Sequence, residues 1–435
     1  DNVDFRLRQS DFAGDGSDEG VPWLGMSIAE VGALDRVLLI GSFLRKDQPL
    51  LSTRLRHATK RRAQLSVLHA ADDDLLMNIA NKLIVRPGAW VRALAEIATA
   101  IAERRGEAPP ASGVTVGTVA QAIAASLLSG ERKAVLLGNA ALQHPQAAQL
   151  RAWAQWIAQA CGARVGVLTE GANAAGGHLV DARPRAGGLN ARTMLEQPRR
   201  AYLLWNFEPE YDTADPVLTA AGLAAAETVI AFSPYRNGAL EYADVILPIA
   251  PFSETGGTFV SVEGRAQSFN GTVRPLGESR PGWKVLRVLG NLLQLDGFDY
   301  ETVEAVRTEA LAGDFKSRLS NETRVRPELP GVEPAGLERL ADVPIYFSDA
   351  IVRRSVPLQA TADSRPPRAR LNGHTAAALG VSAGSVLALK QGEGSAVLEC
   401  EIDERVADDT VRVAAAHLST ARLGPMFGPI RVECG

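Results

Sequence analysis

Short apolar runs alternate with longer amphipathic segments along the first two thirds of the chain. Apolar runs at 36–41 and 64–69 flank a helical pattern at 49–62, and this order predicts a βαβ unit with a right-handed crossover. Five further apolar runs, several of them separated by helical patterns, predict strands at 133–138, 164–168, 200–205, 227–232 and 243–247. The alternation favours an α/β fold with open, mostly parallel, doubly wound sheets.

The pattern changes after two adjacent prolines, Pro366 and Pro367. Three short β-rich runs between residues 385 and 414 are separated by Gly and Asp turns, which is typical of a small β-barrel. A segment rich in Pro, Gly and Ser at 107–113 indicates an earlier boundary. We therefore predict three domains: a Rossmann-like lobe at 1–106, a second doubly wound α/β lobe at 107–340 and a small β-barrel domain at 341–435.

Composition excludes several classes of function. The 435 residues carry a net charge of −4, so no overall basic field attracts nucleic acid. The apolar run at 245–252 is among the longest and is far too short to cross a bilayer, so we expect no direct membrane insertion. The chain begins with Asp1 rather than Met, which indicates a piece of a longer protein.

Cysteine and histidine spacing predicts no metal site. The three cysteines, Cys161, Cys400 and Cys434, form no C-x-x-C pair, whereas an iron–sulfur cluster normally takes four thiolates. A disulfide framework is not expected either, which fits a reducing cytoplasm. The six histidines lack the spacing of a zinc site. The acidic run 72–74 is typical of a helix N-terminus.

Loop-forming residues follow several predicted strands. Asn139, Asn173 and Asn206 each come within a few residues of a strand end, and Pro234 follows another. In open parallel sheets, ligands bind in the crevice outside the carboxyl ends of the strands. The pattern therefore predicts a pocket with the shape of a nucleotide site, although no G-x-G-x-x-G or P-loop motif is present.

One segment carries a specific resemblance. Residues 241–267, EYADVILPIAPFSETGGTFVSVEGRAQ, resemble the ADVVLP…E…GT…N…EGR-Q pattern of the molybdopterin oxidoreductases of the dimethyl sulfoxide reductase type. Weaker similarities follow in the same order along almost the whole chain, at 40–42, 171–176, 205–209, 281–293 and 371–386. The resemblance implies two Rossmann-like lobes that hold the two guanine dinucleotide arms of the cofactor between them, and a C-terminal double-psi-like β-barrel.

The residues that would face this cofactor depart from the family pattern. Ser10 stands where the family has its molybdenum ligand, and Phe43 replaces an Asn. The two turns that supply guanine-binding Asp residues in the family read 68–71 (LHAA) and 87–90 (PGAW) here, without a carboxylate. The resemblance therefore implies a vestigial cleft without catalytic residues or metal, in which Phe43 and Trp90 fill space. The vestigial candidates are Ser10, Gly41, Ser42, Phe43, Trp90, Asn173, Asn206, Glu254 and Gly257.

Within this family, the combination is similar to members that serve as subunits of bacterial NADH-quinone oxidoreductase, respiratory complex I. The opening residues 6–9 (RLRQ) and the short barrel carry this similarity. It implies a structural and assembly module of the peripheral arm, on the cytoplasmic side of the inner membrane, with other peripheral-arm subunits as partners. Iron–sulfur clusters are then expected in a region that precedes Asp1, and molybdopterin is expected to be lost.

Two alternatives remain open. The chain is an active molybdopterin-dependent oxidoreductase, such as a formate dehydrogenase or nitrate reductase, if Ser10 binds molybdenum. It is a small-molecule or nucleotide-binding protein if the crevice has been reused for another ligand. Metal and pterin content distinguishes the first alternative, and thermal stabilisation by nucleotides distinguishes the second.

Overall fold

A computed structural model describes residues 2–185, 187–236, 238–331 and 335–434. Asp1 and Gly435, the outer ends of the predicted domains, lie outside the described residues. Within these ranges, no helix combines the length and apolar character needed to span a bilayer.

The strands form three larger sheets and two short pairs. In chain order they are β1 (Asp18–Glu19), β2 (Arg36–Ile40), β3 (Gln64–His69), β4 (Asn81–Ile84), β5 (Lys133–Leu137), β6 (Arg164–Val167), β7 (Ala201–Trp205), β8 (Thr228–Ser233), β9 (Val245–Pro248), β10 (Gly257–Val260), β11 (Ala266–Phe269), β12 (Glu322–Thr323), β13 (Glu338–Leu340), β14 (Ala369–Leu371), β15 (Val386–Gln391), β16 (Gly394–Ile402), β17 (Thr410–Arg412), β18 (Phe427–Pro429) and β19 (Arg431–Cys434).

The α-helices include several of only one turn. They are α1 (Ile28–Val31), α2 (Leu44–Asp47), α3 (Pro49–Lys60), α4 (Trp90–Arg105), α5 (Thr118–Leu128), α6 (Asn139–Leu142), α7 (Ala147–Cys161), α8 (Ala174–Leu179), α9 (Ala191–Glu196), α10 (Pro209–Asp212), α11 (Pro216–Ala224), α12 (Gly282–Leu292), α13 (Val303–Ala310), α14 (Ala350–Arg353), α15 (Val356–Gln359) and α16 (Gly373–Leu379).

A five-stranded parallel sheet, in the order β4-β3-β2-β5-β6, contains the largest core. Alternate residues of β2 enter opposite core clusters: Val37 and Leu39 pack on the side of α3, whereas Leu38 and Ile40 pack on the side of α4, α5 and α7. Burial on both faces explains why these strands are continuous apolar runs. The predicted βαβ unit is confirmed, because β2 and β3, which precede and follow α3 in the chain, pair in parallel.

This sheet crosses the predicted boundary between residues 106 and 107. Lys133 of β5 pairs in parallel register with Arg36 of β2, so strands from both sides of the linker belong to one sheet. The linker at 107–113 is a loop between α4 and α5, and both helices pack on the same face of that sheet. The division between α/β layers instead falls between β6 and β7, where a second sheet begins.

The second sheet contains three parallel strands, β7, β8 and β9. One face is covered by α9 and α11, where Tyr202 and Leu204 pack with Leu223 and with Met194. The residues between them point to the opposite face, and Leu203 is exposed there. The five strands predicted between 133 and 247 are therefore divided between two sheets.

The C-terminal region contains a seven-stranded mixed sheet in the order β18-β13-β17-β14-β16-β15-β19. It curls around an apolar core that includes Leu371, Leu389 and Val411. The predicted β-rich region is confirmed, although its first strand, β13, precedes the predicted start of the domain at residue 341. The double-psi connectivity stays a prediction.

Candidate functional site

A cleft of about 1390 Å³ lies at the carboxyl ends of strands from both parallel sheets. Asn139 follows β5, Asn173 follows β6, Asn206 follows β7 and Pro234 follows β8, and all four line the cleft. Parallel strands bring their carboxyl ends to one edge, and this is where doubly wound folds bind ligands. The strand-end loops of the sequence therefore meet at one site.

Three of the vestigial candidates line this cleft: Asn173, Asn206 and Gly257. The Asn173 side-chain oxygen accepts a hydrogen bond from the Val260 backbone N–H at 2.7 Å, which ties the loop after β6 to β10. Asn206 has a φ of 52°, a left-handed conformation that Asn tolerates better than most residues. Both amides thus shape the wall of the cleft.

The remaining candidates lie outside the cleft lining. Glu254 accepts a hydrogen bond from the Leu276 backbone N–H at 2.9 Å and so organises a surface loop. Ser10 lies between two lining residues, but its hydroxyl donates to the Gln143 carbonyl at 2.5 Å. The hydroxyl of Ser10 is therefore already engaged with the main chain.

Gly41, Ser42 and Phe43 form the loop after β2. Gly41 has a φ of 58°, and a Cβ added there would lie 2.5 Å from the Ala141 backbone nitrogen and 2.9 Å from the Trp90 ring. Phe43 packs against the core cluster on the α3 side of the sheet. This loop is packed into the protein and does not reach the open part of the cleft.

Trp90 is fully buried beneath the same loop. Its ring stacks on His144 at 5.4 Å, and its indole N–H donates to the Val85 carbonyl at 3.1 Å. Burial lowers the pKa of His144 to about 4, and that of the neighbouring His69 also to about 4, so both imidazoles are neutral near pH 7. Trp90 and these two rings fill the interior next to Gly41.

The C-terminal sheet domain binds the turn that follows β3. The Asp72 N–H donates to the Arg405 carbonyl at 2.8 Å, and the Ala407 N–H donates to the Ala70 carbonyl at 2.9 Å. The predicted helix N-terminus at 72–74 was wrong, because no helix begins there and Asp73 instead forms a 2.7 Å ion pair with buried Arg412. Residues 70–73 are thereby fixed to the other domain.

The second turn is bound in the same way. The Gly88 N–H donates to the carboxylate of Glu338 at 2.6 Å, and Glu338 is buried in β13. These two turns correspond to those that read guanine in the family resemblance. Positions 68–71 and 87–90 contain no carboxylate, and Asp73, which follows the first of them, is already paired with Arg412. Both turns also have backbone groups engaged by the C-terminal domain, so the residues present do not fit the family cofactor at these positions.

A network of ion pairs that sequence patterns did not reveal joins the lining residues Arg8 and Asp212 to α14. Arg353 pairs with Glu208 at 2.8 Å and with Asp212, and Arg8 pairs with Asp212 at 2.8 Å. Arg354 adds a 2.5 Å bond to Glu208. These groups are largely buried, so the network attaches the segment that contains α14 to the cleft wall.

A second missed residue is Asp47, at the end of α2, which lines the cleft. Burial, with the nearby carboxylates of Asp342 and Asp73, raises its pKa to about 7. Its carboxylate accepts a hydrogen bond from the Phe43 N–H at 3.0 Å. Among the described residues, no group of three or more His, Cys, Asp and Glu side chains is arranged to hold a metal ion.

Comparison with known proteins begins with the family and two relatives from mycobacteria. Residues 1–292 match the family described as molybdopterin oxidoreductase. The chain is 25% identical over 409 residues to the G subunits of NADH-quinone oxidoreductase from Mycobacterium bovis and Mycobacterium tuberculosis, which covers 88% of this chain and 48% of each relative. The chain thus spans about half the length of these relatives.

The other similarities are shorter or purely structural. A Staphylococcus aureus protein with a provisional formate dehydrogenase name is 44% identical over 55 residues, which is 13% of this chain and 6% of that protein. Acetylene hydratase from Pelobacter acetylenicus has a similar structure, with a TM-score of 0.66, 14% identity and coverage of 95% of this chain and 77% of that one. At this identity, the likeness concerns the fold alone.

Proposed function

Because this chain belongs to the molybdopterin oxidoreductase family, we propose that it is a structural and assembly module of NADH-quinone oxidoreductase whose cofactor cleft is vestigial. The whole complex would transfer electrons from NADH to a quinone and couple this transfer to proton translocation. This chain would contribute a scaffold to the peripheral arm. Its iron–sulfur clusters would belong to a part of the longer relatives that this chain does not span.

The proposal rests on the contacts that the C-terminal domain makes with the turns at 68–71 and 87–90. A guanine base held there would need a carboxylate acceptor for its two donor groups. The chain instead places Ala70 and Ala71 in the first turn and Trp90 at the end of the second. Hydrogen bonds with residues 405–407 and with Glu338 use backbone groups of the same turns.

The position of Ser10 supports the same proposal. A serine that binds molybdenum must present its oxygen to the cleft, whereas this hydroxyl donates to the Gln143 carbonyl. The partners we propose are other peripheral-arm subunits, and the location is the cytoplasmic side of the inner membrane. The 25% identity to the mycobacterial G subunits over 88% of this chain supports the choice of partners.

Two measurements on the native full-length protein test this proposal. We expect neither stoichiometric molybdenum by elemental analysis nor pterin fluorescence after acid oxidation, in a host that makes the cofactor. We also expect the protein to migrate with NADH dehydrogenase activity in native gels. Stoichiometric molybdenum and pterin contradict the vestigial cleft, and migration apart from the activity contradicts the assembly role.

An active molybdopterin-dependent oxidoreductase is the second candidate, and one observation favours it. The cleft has a volume of about 1390 Å³. Four buried polar atoms of its lining residues have no hydrogen-bond partner among the described residues: Arg8 Nε, Asn139 Oδ1, His178 Nδ1 and Arg183 Nε. Such atoms are costly unless a ligand or water satisfies them. This candidate predicts bound cofactor and its loss in the Ser10→Ala variant.

A further inference from the structure

Exposed apolar side chains are concentrated in one stretch of the chain. Of the 22 large apolar residues that are exposed among those described, 13 lie between residues 203 and 295. This region is about a fifth of the chain, so the distribution is far from even. A contiguous exposed apolar patch in an otherwise well-packed protein indicates an interaction surface.

The first part of this surface is the open face of the three-stranded sheet. Leu203, Ile230 and Val245 are register partners on adjacent parallel strands, so they form one row across that face. Leu203 is 52% exposed and Val245 is 44% exposed. All-parallel sheets normally have helices on both faces, and here α9 and α11 cover only the other one.

The second part is α12, which is amphipathic but leaves its apolar side in solvent. Leu292 is 76% exposed and Leu286 is also exposed, and Leu293, which directly follows the helix, is 62% exposed. The helix begins beside the open face, because a Cβ on Gly282 would lie 2.6 Å from the Trp205 ring. It nevertheless does not cover the row that contains Leu203. The helix and the sheet therefore have adjoining apolar surfaces that no part of the described chain covers.

Charge on α12 indicates what would cover them. Lys284 and Arg287 are the only charged residues within this helix, so both of its charges are positive. An arginine beside an apolar surface gains most from a carboxylate, which it can bind with two N–H groups. A complementary partner therefore carries acidic residues at the border of an apolar face.

We propose that the open face of β7, β8 and β9, together with the apolar side of α12, is the docking surface for another protein subunit, which covers it with an amphipathic, acid-bordered helix. A helix is the layer that a half-covered parallel sheet lacks. This inference rests on the proposed function, because it assigns the surface to a neighbouring subunit of the same assembly.

The test uses the native complex and the Leu292→Glu/Leu293→Glu double variant. Both side chains are exposed, so we expect the variant to fold, but charges on the docking surface should reduce its amount in the NADH dehydrogenase band by about tenfold or more. Leu50→Glu and Leu418→Glu are matched controls, because these leucines are 77% and 75% exposed elsewhere. The controls should stay in the band.

The outcomes separate the two proposals. If wild-type protein and controls migrate in the band and the double variant does not, the docking surface is supported. If all of them migrate in the band, the docking surface is overturned and the proposed function stands. If wild-type protein migrates elsewhere, the proposed function fails and the docking inference fails with it.

A second pair of variants tests the charge of the partner. The Lys284→Glu/Arg287→Glu variant should be absent from the NADH dehydrogenase band, whereas the Lys284→Arg/Arg287→Lys variant, which keeps both positive charges, should remain in it. If the two variants behave alike, the proposal that the partner carries acidic residues at the border is overturned. A photo-crosslinker at position 293 then identifies the occupant. A cross-link to another subunit of the complex supports the proposal, and a cross-link to a second copy of this chain, or none, overturns it.

Discussion

Replacing Trp90 with alanine tests how the interior next to Gly41 is stabilised. Trp90 is fully buried, stacks on His144 and donates its indole N–H to the Val85 carbonyl. Truncation of a buried Trp to Ala costs about 3–5 kcal/mol, and the lost hydrogen bond adds about 1 kcal/mol. The expected loss of about 4–6 kcal/mol is comparable to the whole stability of many domains, which is about 5–15 kcal/mol.

Hydrogen exchange of the β2 and β5 amides is the suitable assay, because it reports the free energy of opening of the five-stranded sheet alone in a protein of several domains. Trp90→Phe should cost less, since the phenyl ring keeps the stacking on His144. Trp205→Ala, in which the parent residue is 40% exposed, is the control and should leave these amides unchanged. A loss below about 1 kcal/mol for Trp90→Ala would refute the view that Trp90 supports the sheet.

Three further predictions concern backbone, proton and ion-pair contacts. Gly41→Ala should lower the free energy of unfolding by about 1–3 kcal/mol in thermal unfolding, because a side chain there strains a positive φ and contacts Ala141. Gly113→Ala is the control: Gly113 also has a positive φ but open space around it, so this variant should lose less stability. The pKa of Asp47 is raised to about 7, so its contribution is fully present below the unfolded-state pKa of 3.8 and is lost as pH rises through 7. Asp47→Asn should therefore be more stable than wild type at pH 8, and this difference should shrink steadily as pH falls from about 7 towards 3.8; a difference that does not change with pH would contradict this assignment. Arg412→Met leaves buried Asp73 unpaired and should cost about 3–5 kcal/mol in chemical unfolding, with partial recovery when Asp73→Asn is added.

The strands were more predictable than their arrangement. β2, β3 and β5 were placed within one residue of their observed ends, because strands buried on both faces are uninterrupted apolar runs. The pairing of β5 with β2 was not predicted, because a Pro-rich loop between α4 and α5 resembles a domain linker. Such a loop is compatible with either continuation or interruption of a sheet, and only tertiary contacts decide between them.

The candidate site was likewise only partly predictable from the sequence. Asn139, Asn173 and Asn206 could be grouped from sequence, since each follows a strand and parallel strands end at one edge. The pairs of Arg353 with Glu208 and Asp212 could not, because more than 100 residues separate the partners and α14 has too few residues for a periodic pattern. Sequence patterns therefore located the sheet edge at which the cleft lies, but not the ion pairs that attach α14 beside it.

The hydrogen bond between Ala70 and Ala407 joins residues that are more than 300 positions apart in the chain. The ribosome releases the N-terminal end first, so all five strands from β2 to β6 are available long before Ala407 is made. Throughout that interval, the turn after β3 lacks its hydrogen-bond partner in the C-terminal domain. The order of synthesis thus leaves this turn available for other contacts until the last hundred residues are made.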